Sequence, residues 1–189
     1  MSTKYKATEI DTPYFITCTI VDWIDLFSRI EYKNLLVDSL EYCQENKGLT
    51  IYGWCLMPSH LHLICSSEKQ PLSDVIRDFK THTSKALVKT LKEIPESRRE
   101  WLLEKFEAVA SHLKREQKYK VWQTGYHAKE IYSNSFALQK LNYIHNNPVK
   151  EGIVFRPEEY LYSSAIDYSG EQGNLKVEFI DGKLWDTVK

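Results

Sequence analysis

An α+β fold is what this sequence predicts: a ferredoxin-like antiparallel sheet with helices packed on one face and a helical insert. Three observations carry that prediction. The apolar patterning runs β-α-β-β-α, then an additional α, then β-α, which is the split βαβ order. Two strand-like runs, 50–57 and 60–66, are separated only by the turn signal Pro58-Ser59, so they form a hairpin. The 189 residues, 42% of them hydrophobic, suffice for one sizeable core but not for two.

Each element has its own signal. The run YFITCTIV (14–21) is β-branched and aromatic, hence a strand. Leu35, Leu36, Leu40 and Cys43 recur at helical spacing, and Gly48 is placed to end that helix. A second helix covers 72–91, with Ser73 as its expected N-cap. Pro95 opens a third, striped by Trp101, Leu102, Phe106, Val109 and Leu113 and running into a basic cluster at 114–120. A strand is expected over 127–132. From Ser135 a helix runs through Leu138, Leu141 and Ile144 until Pro148 ends it. One domain over 1–168, an insert at about 93–118 and a C-terminal extension, 169–189, account for the chain.

Composition excludes more than it selects. Lys and Arg number 25 against 26 Asp and Glu, so any nucleic-acid affinity needs local positive charge. No apolar run approaches the roughly 20 residues of a membrane span. The start, MSTKYKATEIDTPYF, lacks a signal-peptide core, so a cytoplasmic location is the expectation. Cys18, Cys43, Cys55 and Cys65 form no CxxC and read as buried thiols rather than a zinc site.

Chemistry concentrates in two places. Within WCLMPSHLHLIC, His60 and His62 are two apart on a strand and share a face, while Leu61 and Leu63 point to the other. Neutral imidazoles bind divalent metals, but HxH alone is a weak motif and also suits an uneventful sheet surface. In LNYIHNNPVK, Tyr143 and Asn147 are i and i+4 on a helix whose apolar side is Leu141 and Ile144. A tyrosine hydroxyl is a competent nucleophile once deprotonated, and an Asn carbonyl one turn along can serve as a further metal ligand. A half-buried tyrosine and a helix-terminal asparagine would give the same spacing.

Together, MPSHLHLI, LSDVIRDFKTHTSK, WQTGYHAKEI, YIHNNPVKEGIV and PEEYLYSSAIDY closely resemble the REP-associated tyrosine transposases, HUH single-strand DNA transposases of the insertion-sequence kind. The resemblance spans about residues 12–168 in collinear order. It implies an HUH endonuclease type of ferredoxin-like fold and cleavage of single-stranded or hairpin DNA at palindromic repeats. His60 and His62 would hold Mg²⁺ or Mn²⁺ with Asn147, and Tyr143 would form a 5′-phosphotyrosine, leaving a free 3′-OH. It implies a nucleoid-associated enzyme, either a homodimer sharing active sites between chains or a monomer.

Arg77, Lys80 and Lys85, with the cluster Lys114, Arg115, Lys118 and Lys120, are candidate phosphate contacts. Trp122, beside Tyr119 in that cluster, is a candidate for stacking on unpaired bases. Lys150 follows the tyrosine helix closely enough to approach the scissile phosphate, and His127 could line the site if its strand borders that of the histidines. His82, His112 and His145 read as surface or satisfied core residues. Two rival readings remain at this level: a hairpin-binding protein that no longer cuts, and a zinc hydrolase of small molecules, which would need further His and Asp ligands.

Overall fold

The computed structural model describes residue 7, residues 10–112 and residues 117–180. Four strands, β1 (Tyr14–Thr19), β2 (Leu49–Leu56), β3 (His60–Ser67) and β4 (His127–Glu130), form one antiparallel sheet in the order β2-β3-β1-β4. The helices are α1 (Ile30–Lys47), α2 (Leu72–Glu93), α3 (Arg99–Ser111), α4 (Asn134–His145) and the short α5 (Asn147–Lys150) and α6 (Ala165–Tyr168). The α+β class with its ferredoxin-like sheet is therefore as expected.

Strand alternation splits the core into two layers. Ile16, Cys18, Trp54, Leu61, Leu63 and Cys65 face one side, where the buried stripes of α1 (Tyr32, Leu36, Leu40, Cys43) and α2 (Val75, Ile76, Phe79, Leu87) cover them. Phe15, Tyr52, Cys55, Met57 and Ile64 face the other, where Ala137, Leu141 and Ile144 of α4 pack. The one-face expectation describes α1 and α2; α4 covers the opposite face, because its own apolar stripe needs a partner. All four cysteines are buried free thiols.

Gly53 sets how closely α4 approaches. A Cβ there would stand 2.6 Å from Leu141 Cδ1 and 3.3 Å from Ile144 Cδ1, so any larger residue would force these α4 side chains to shift. A register shift between Ile51 and Gly53 bends β2 at the same point. The exposed edge of β2 is covered by later chain: Ser164 N donates to Trp54 O and Glu178 N to Ile51 O, both at 2.9 Å. Leu175 and Ile180 are buried against it, which gives residues 169–180 a packed position.

Several boundaries differ from the sequence expectation. Gly48 does end α1, in the left-handed conformation at φ 71°. Ser73 is not the N-cap of α2: the helix begins at Leu72, Pro71 holds the cap position and no side chain caps it. Ser133 caps α4 by accepting from Phe136 N at 3.2 Å. Pro148 does not end that helix either. The helix ends at His145, and Pro148 sits in the first turn of α5, where its missing N–H is not needed. The fourth strand stops at Glu130, two residues short of Tyr132. Trp101 turns outward, 44% exposed, leaving Leu102, Phe106 and Ala110 as the buried stripe of α3.

Candidate active site

His60 and His62 lie on β3 on the face covered by α4, side by side with ring centroids 4.6 Å apart. Their orientation is fixed from behind. Thr17 of β1 is paired with His62 in the ladder, and its Oγ1 lies 2.9 Å from Nδ1 of that ring. Ser59 Oγ lies 3.0 Å from Nδ1 of His60. In the tautomer that donates each Nδ1–H to its hydroxyl, both Nε2 atoms carry free lone pairs. For His62 that atom is buried and without a hydrogen-bond partner among the described residues. Such an orphan costs about 1–3 kcal/mol, and a ligand on Nε2 would relieve it.

Burial keeps both rings neutral. It pushes His60 down to about 4, partly opposed by Asp25. It pushes His62 down to about 3, helped by His60 and Lys140. Neutral imidazoles with anchored Nδ1 and open Nε2 are the form that binds a divalent cation. Among the described residues no third His, Cys, Asp or Glu joins them, which leaves a further ligand to amide, phosphate or water oxygens. The further His and Asp ligands that a zinc hydrolase would require are not gathered there among the described residues.

Tyr143 reaches this pair from α4. Its ring is 5.4 Å from that of His62 and 6.0 Å from that of Phe15, edge-on to both, and the residue is 42% exposed. Phe15 in turn stacks on His62 at 5.5 Å. Two ammonium groups attend the tyrosine: Lys140 Nζ is 5.7 Å and Lys150 Nζ 5.6 Å from its ring centroid. Asn147 is buried and opens α5; Asn146 between the two helices keeps right-handed helical angles (φ −83°, ψ −2°), so Asn147 follows Tyr143 by about one turn. His127 shares a row of the sheet with His62, both paired to Thr17 from opposite sides, and its side chain is exposed on the same face.

A wall on the far side of His60 comes from Trp23, edge-on at 5.4 Å and 59% exposed. Asp22 and Trp23 both adopt positive φ, 53° and 55°. Two consecutive non-glycine residues in this region store strain of about 1–3 kcal/mol each. Thr17, Ser59, Trp23 and Lys140 went unnoticed in the sequence. Thr17 and Ser59 had a weak signal, one on the alternating face of a neighbouring strand and one adjacent to His60; Trp23 had none.

The candidate phosphate contacts gather elsewhere, in a groove of about 1000 Å³ between α2 and segment 117–126. Arg77, Lys80, Lys85, Lys118 and Lys120 line it with Lys89 and Lys92, and among the described residues no acidic one does. Lys80 is not free: its Nζ donates to Gln123 O at 2.8 Å and to Gly125 O, tethering the loop. Arg77 is paired with Asp74 and Asp78. Trp122 is corrected from a stacking residue to a core one. It is 3% exposed, wedged beside Phe27 and Phe79, with Nε1 donating to Thr83 Oγ1 at 3.0 Å. Tyr119 is covered by Lys92 and Lys118. Lys114 and Arg115 lie outside the described residues, and Lys150 belongs with Tyr143, not with the groove.

Comparison with known proteins fits this arrangement. The family model described as Transposase IS200 like matches residues 25–106, which include both histidines but not Tyr143. No curated protein matches the chain. Among solved structures, a REP-associated tyrosine transposase bound to a REP hairpin aligns over 100% of this chain and 99% of its own, with a TM-score of 0.64 at 17% identity. A candidate transposase from Deinococcus radiodurans R1 aligns over 77% of this chain and 95% of its own, at 15% identity and a TM-score of 0.40. The likeness read from the motifs thus holds in sequence over 25–106 and in fold over the whole chain.

Proposed function

We propose that this chain cuts and rejoins single-stranded DNA beside palindromic hairpins, by metal-dependent transesterification with Tyr143 as nucleophile. The observation that carries the reading is the ring of Tyr143 standing 5.4 Å from a histidine whose Nε2 is buried and unpartnered. The structural neighbour bound to a REP hairpin and the IS200-like match over 25–106 support the same class.

The phenol of Tyr143 attacks phosphorus, forming the Oη–P bond as the P–O3′ bond breaks. The tyrosine proton is lost, and the departing O3′ is protonated to a free hydroxyl. The 5′-phosphate remains on the tyrosine as a diester, so the reverse attack by a 3′-OH rejoins strands without an energy source. His60 and His62 would hold Mg²⁺ or Mn²⁺, with the carbonyl of Asn147 as a further ligand. When bound, the cation supplies charge neutralisation at the non-bridging phosphate oxygens. Lys140 and Lys150 flank the ring that gains phenolate character, and Lys150 is suited to the scissile phosphate. The groove residues Lys85, Lys118 and Lys120 are suited to the hairpin backbone, whose recognition is largely by phosphate.

The test is incubation with a labelled hairpin oligonucleotide carrying single-stranded flanks, in Mg²⁺ or Mn²⁺. A denaturation-resistant protein–DNA adduct is expected, lost in Tyr143→Phe while hairpin affinity stays within twofold. An adduct that survives Tyr143→Phe assigns the nucleophile elsewhere. Binding without any adduct would favour a hairpin-binding protein that has ceased to cut.

A further inference from the structure

A line of aromatic and cationic side chains leads away from Tyr143 along α4. Phe136, Lys140 and Tyr143 occupy positions i, i+4 and i+7, so one face of the helix carries all three. Just ahead of the helix, Tyr132 lays its ring on Phe136, with centroids 4.7 Å apart and planes 15° from parallel. Lys140 Nζ stands 5.2 Å from the ring centroids of both Phe136 and Phe15. Lys129 of β4 is in register with Phe15, on the sheet face that α4 covers, and the charges of the two lysines repel each other.

Core packing does not account for Tyr132. The residue is 72% exposed, and its ring stacks on Phe136 with its other face open, close to Lys140, which like Lys129 has no ion-pair partner among the described residues. An exposed planar ring next to ammonium groups matches what an unpaired nucleotide presents: a base with a free π-face and a phosphate. A paired stem hides its base faces and would gain nothing from the ring. The basic groove has the opposite character: Trp122 is buried, Tyr119 lies under two lysines and Tyr126 is half-buried.

We propose that Tyr132, Phe136 and Lys140 form a track for the unpaired nucleotides adjoining the phosphate that Tyr143 attacks. A base stacks on the outer face of Tyr132, and the phosphate between it and the scissile position lies against Lys140 and Lys129. The inference rests on the reading of Tyr143 as nucleophile for where the strand goes next, though not for the binding itself.

The full chain is tested in EDTA, so that binding is read without cleavage, by fluorescence anisotropy with two probes. One is a DNA hairpin with oligothymidine tails at both ends; the other is the same hairpin without tails. Tyr132→Ala is expected to weaken the tailed probe roughly tenfold, the contribution of about one stacked base. The tailless probe should stay within twofold, and Tyr132→Trp should restore the tailed one. Lys140→Gln should also weaken only the tailed probe. Equal affinities of wild type and Tyr132→Ala for the tailed probe overturn the track, as does an equal loss on both probes. Adduct formation in Mn²⁺ is scored separately. An adduct without tail discrimination overturns the track alone, and tail discrimination without any adduct overturns the nucleophile assignment alone.

Discussion

The face bearing His60, His62 and Tyr143 and the groove beside α2 are built on opposite principles. The first has a dry, uncharged floor under an open rim: two imidazoles stripped of charge by burial, one nitrogen without a partner among the described residues, and a half-exposed tyrosine flanked by Lys140 and Lys150 on a helix packed closely over Gly53. The second is solvated and charged, with lysines and an arginine and, among its described lining residues, no acid and no freely exposed ring. A net charge of −1 conceals this segregation, because the compensating acids lie elsewhere. Chemistry and affinity can therefore be perturbed separately. The two regions meet at one end of β1, where Ile20 bridges Trp122 and Gln123 N donates to Thr19 O, Thr19 being the ladder partner of His60.

The strongest separation is expected in acid. His60, His62 and His145 are all held well below the usual imidazole range, the last to about 4 by burial beside Ser164. The unfolded chain takes up these protons near pH 6.5 and the native state does not, so their contribution is present above that pH and lost below it. Stability to urea should fall as pH drops from 6.5 towards 4, by about 3 kcal/mol each for the nearly fully buried His62 and His145. His145→Gln should remove its share of that slope. Among the described residues no histidine lines the groove, so the slope is expected to come from the histidine side. A stability that is flat from pH 7 to pH 4.5 would break the contrast.

A smaller effect isolates the support behind the imidazole. On the proposed reading, Thr17→Val keeps the β-branched shape but deletes the hydroxyl that meets Nδ1 of His62. Loss of such a partner typically lowers metal affinity 10- to 100-fold. Titration of Mn²⁺ should show that weakening while tailless-hairpin binding is unchanged. Unaltered Mn²⁺ affinity would mean the hydroxyl serves the ladder and not the site.

How much of this was legible varied with the kind of signal. The four strands and the Gly48 stop follow from local patterning, and HLH fixed its own facing because strand periodicity leaves no choice. Tyr143 was legible as a helix-surface residue, but its meeting with His62 depends on α4 packing against β2, a long-range fact set partly by Gly53. Trp122 was misread because a tryptophan amid lysines has the composition of a base-stacking site; its bridge to Ile20 and its indole bond to Thr83 are tertiary and bury it. Trp23 gave no warning, since positive φ at a tryptophan is imposed by the anchored turn on either side: Ile20 N donates to Ser59 O and Val21 N to Val121 O.

The mildest perturbation tests the groove by itself. Lys85 and Lys118 are exposed, and neither has an ion-pair partner among the described residues, unlike Arg77 and Lys80, which are already engaged. If each neutralises one phosphate of a bound stem, Lys85→Ala with Lys118→Ala should make the log–log salt dependence of hairpin affinity shallower by about 2. Because neither lysine is near Tyr143, adduct formation at saturating hairpin should proceed at the wild-type rate. A changed adduct rate at saturation would mean that the groove also positions the scissile phosphate. An unchanged salt slope would move the stem to another surface and leave the basic groove without its ligand.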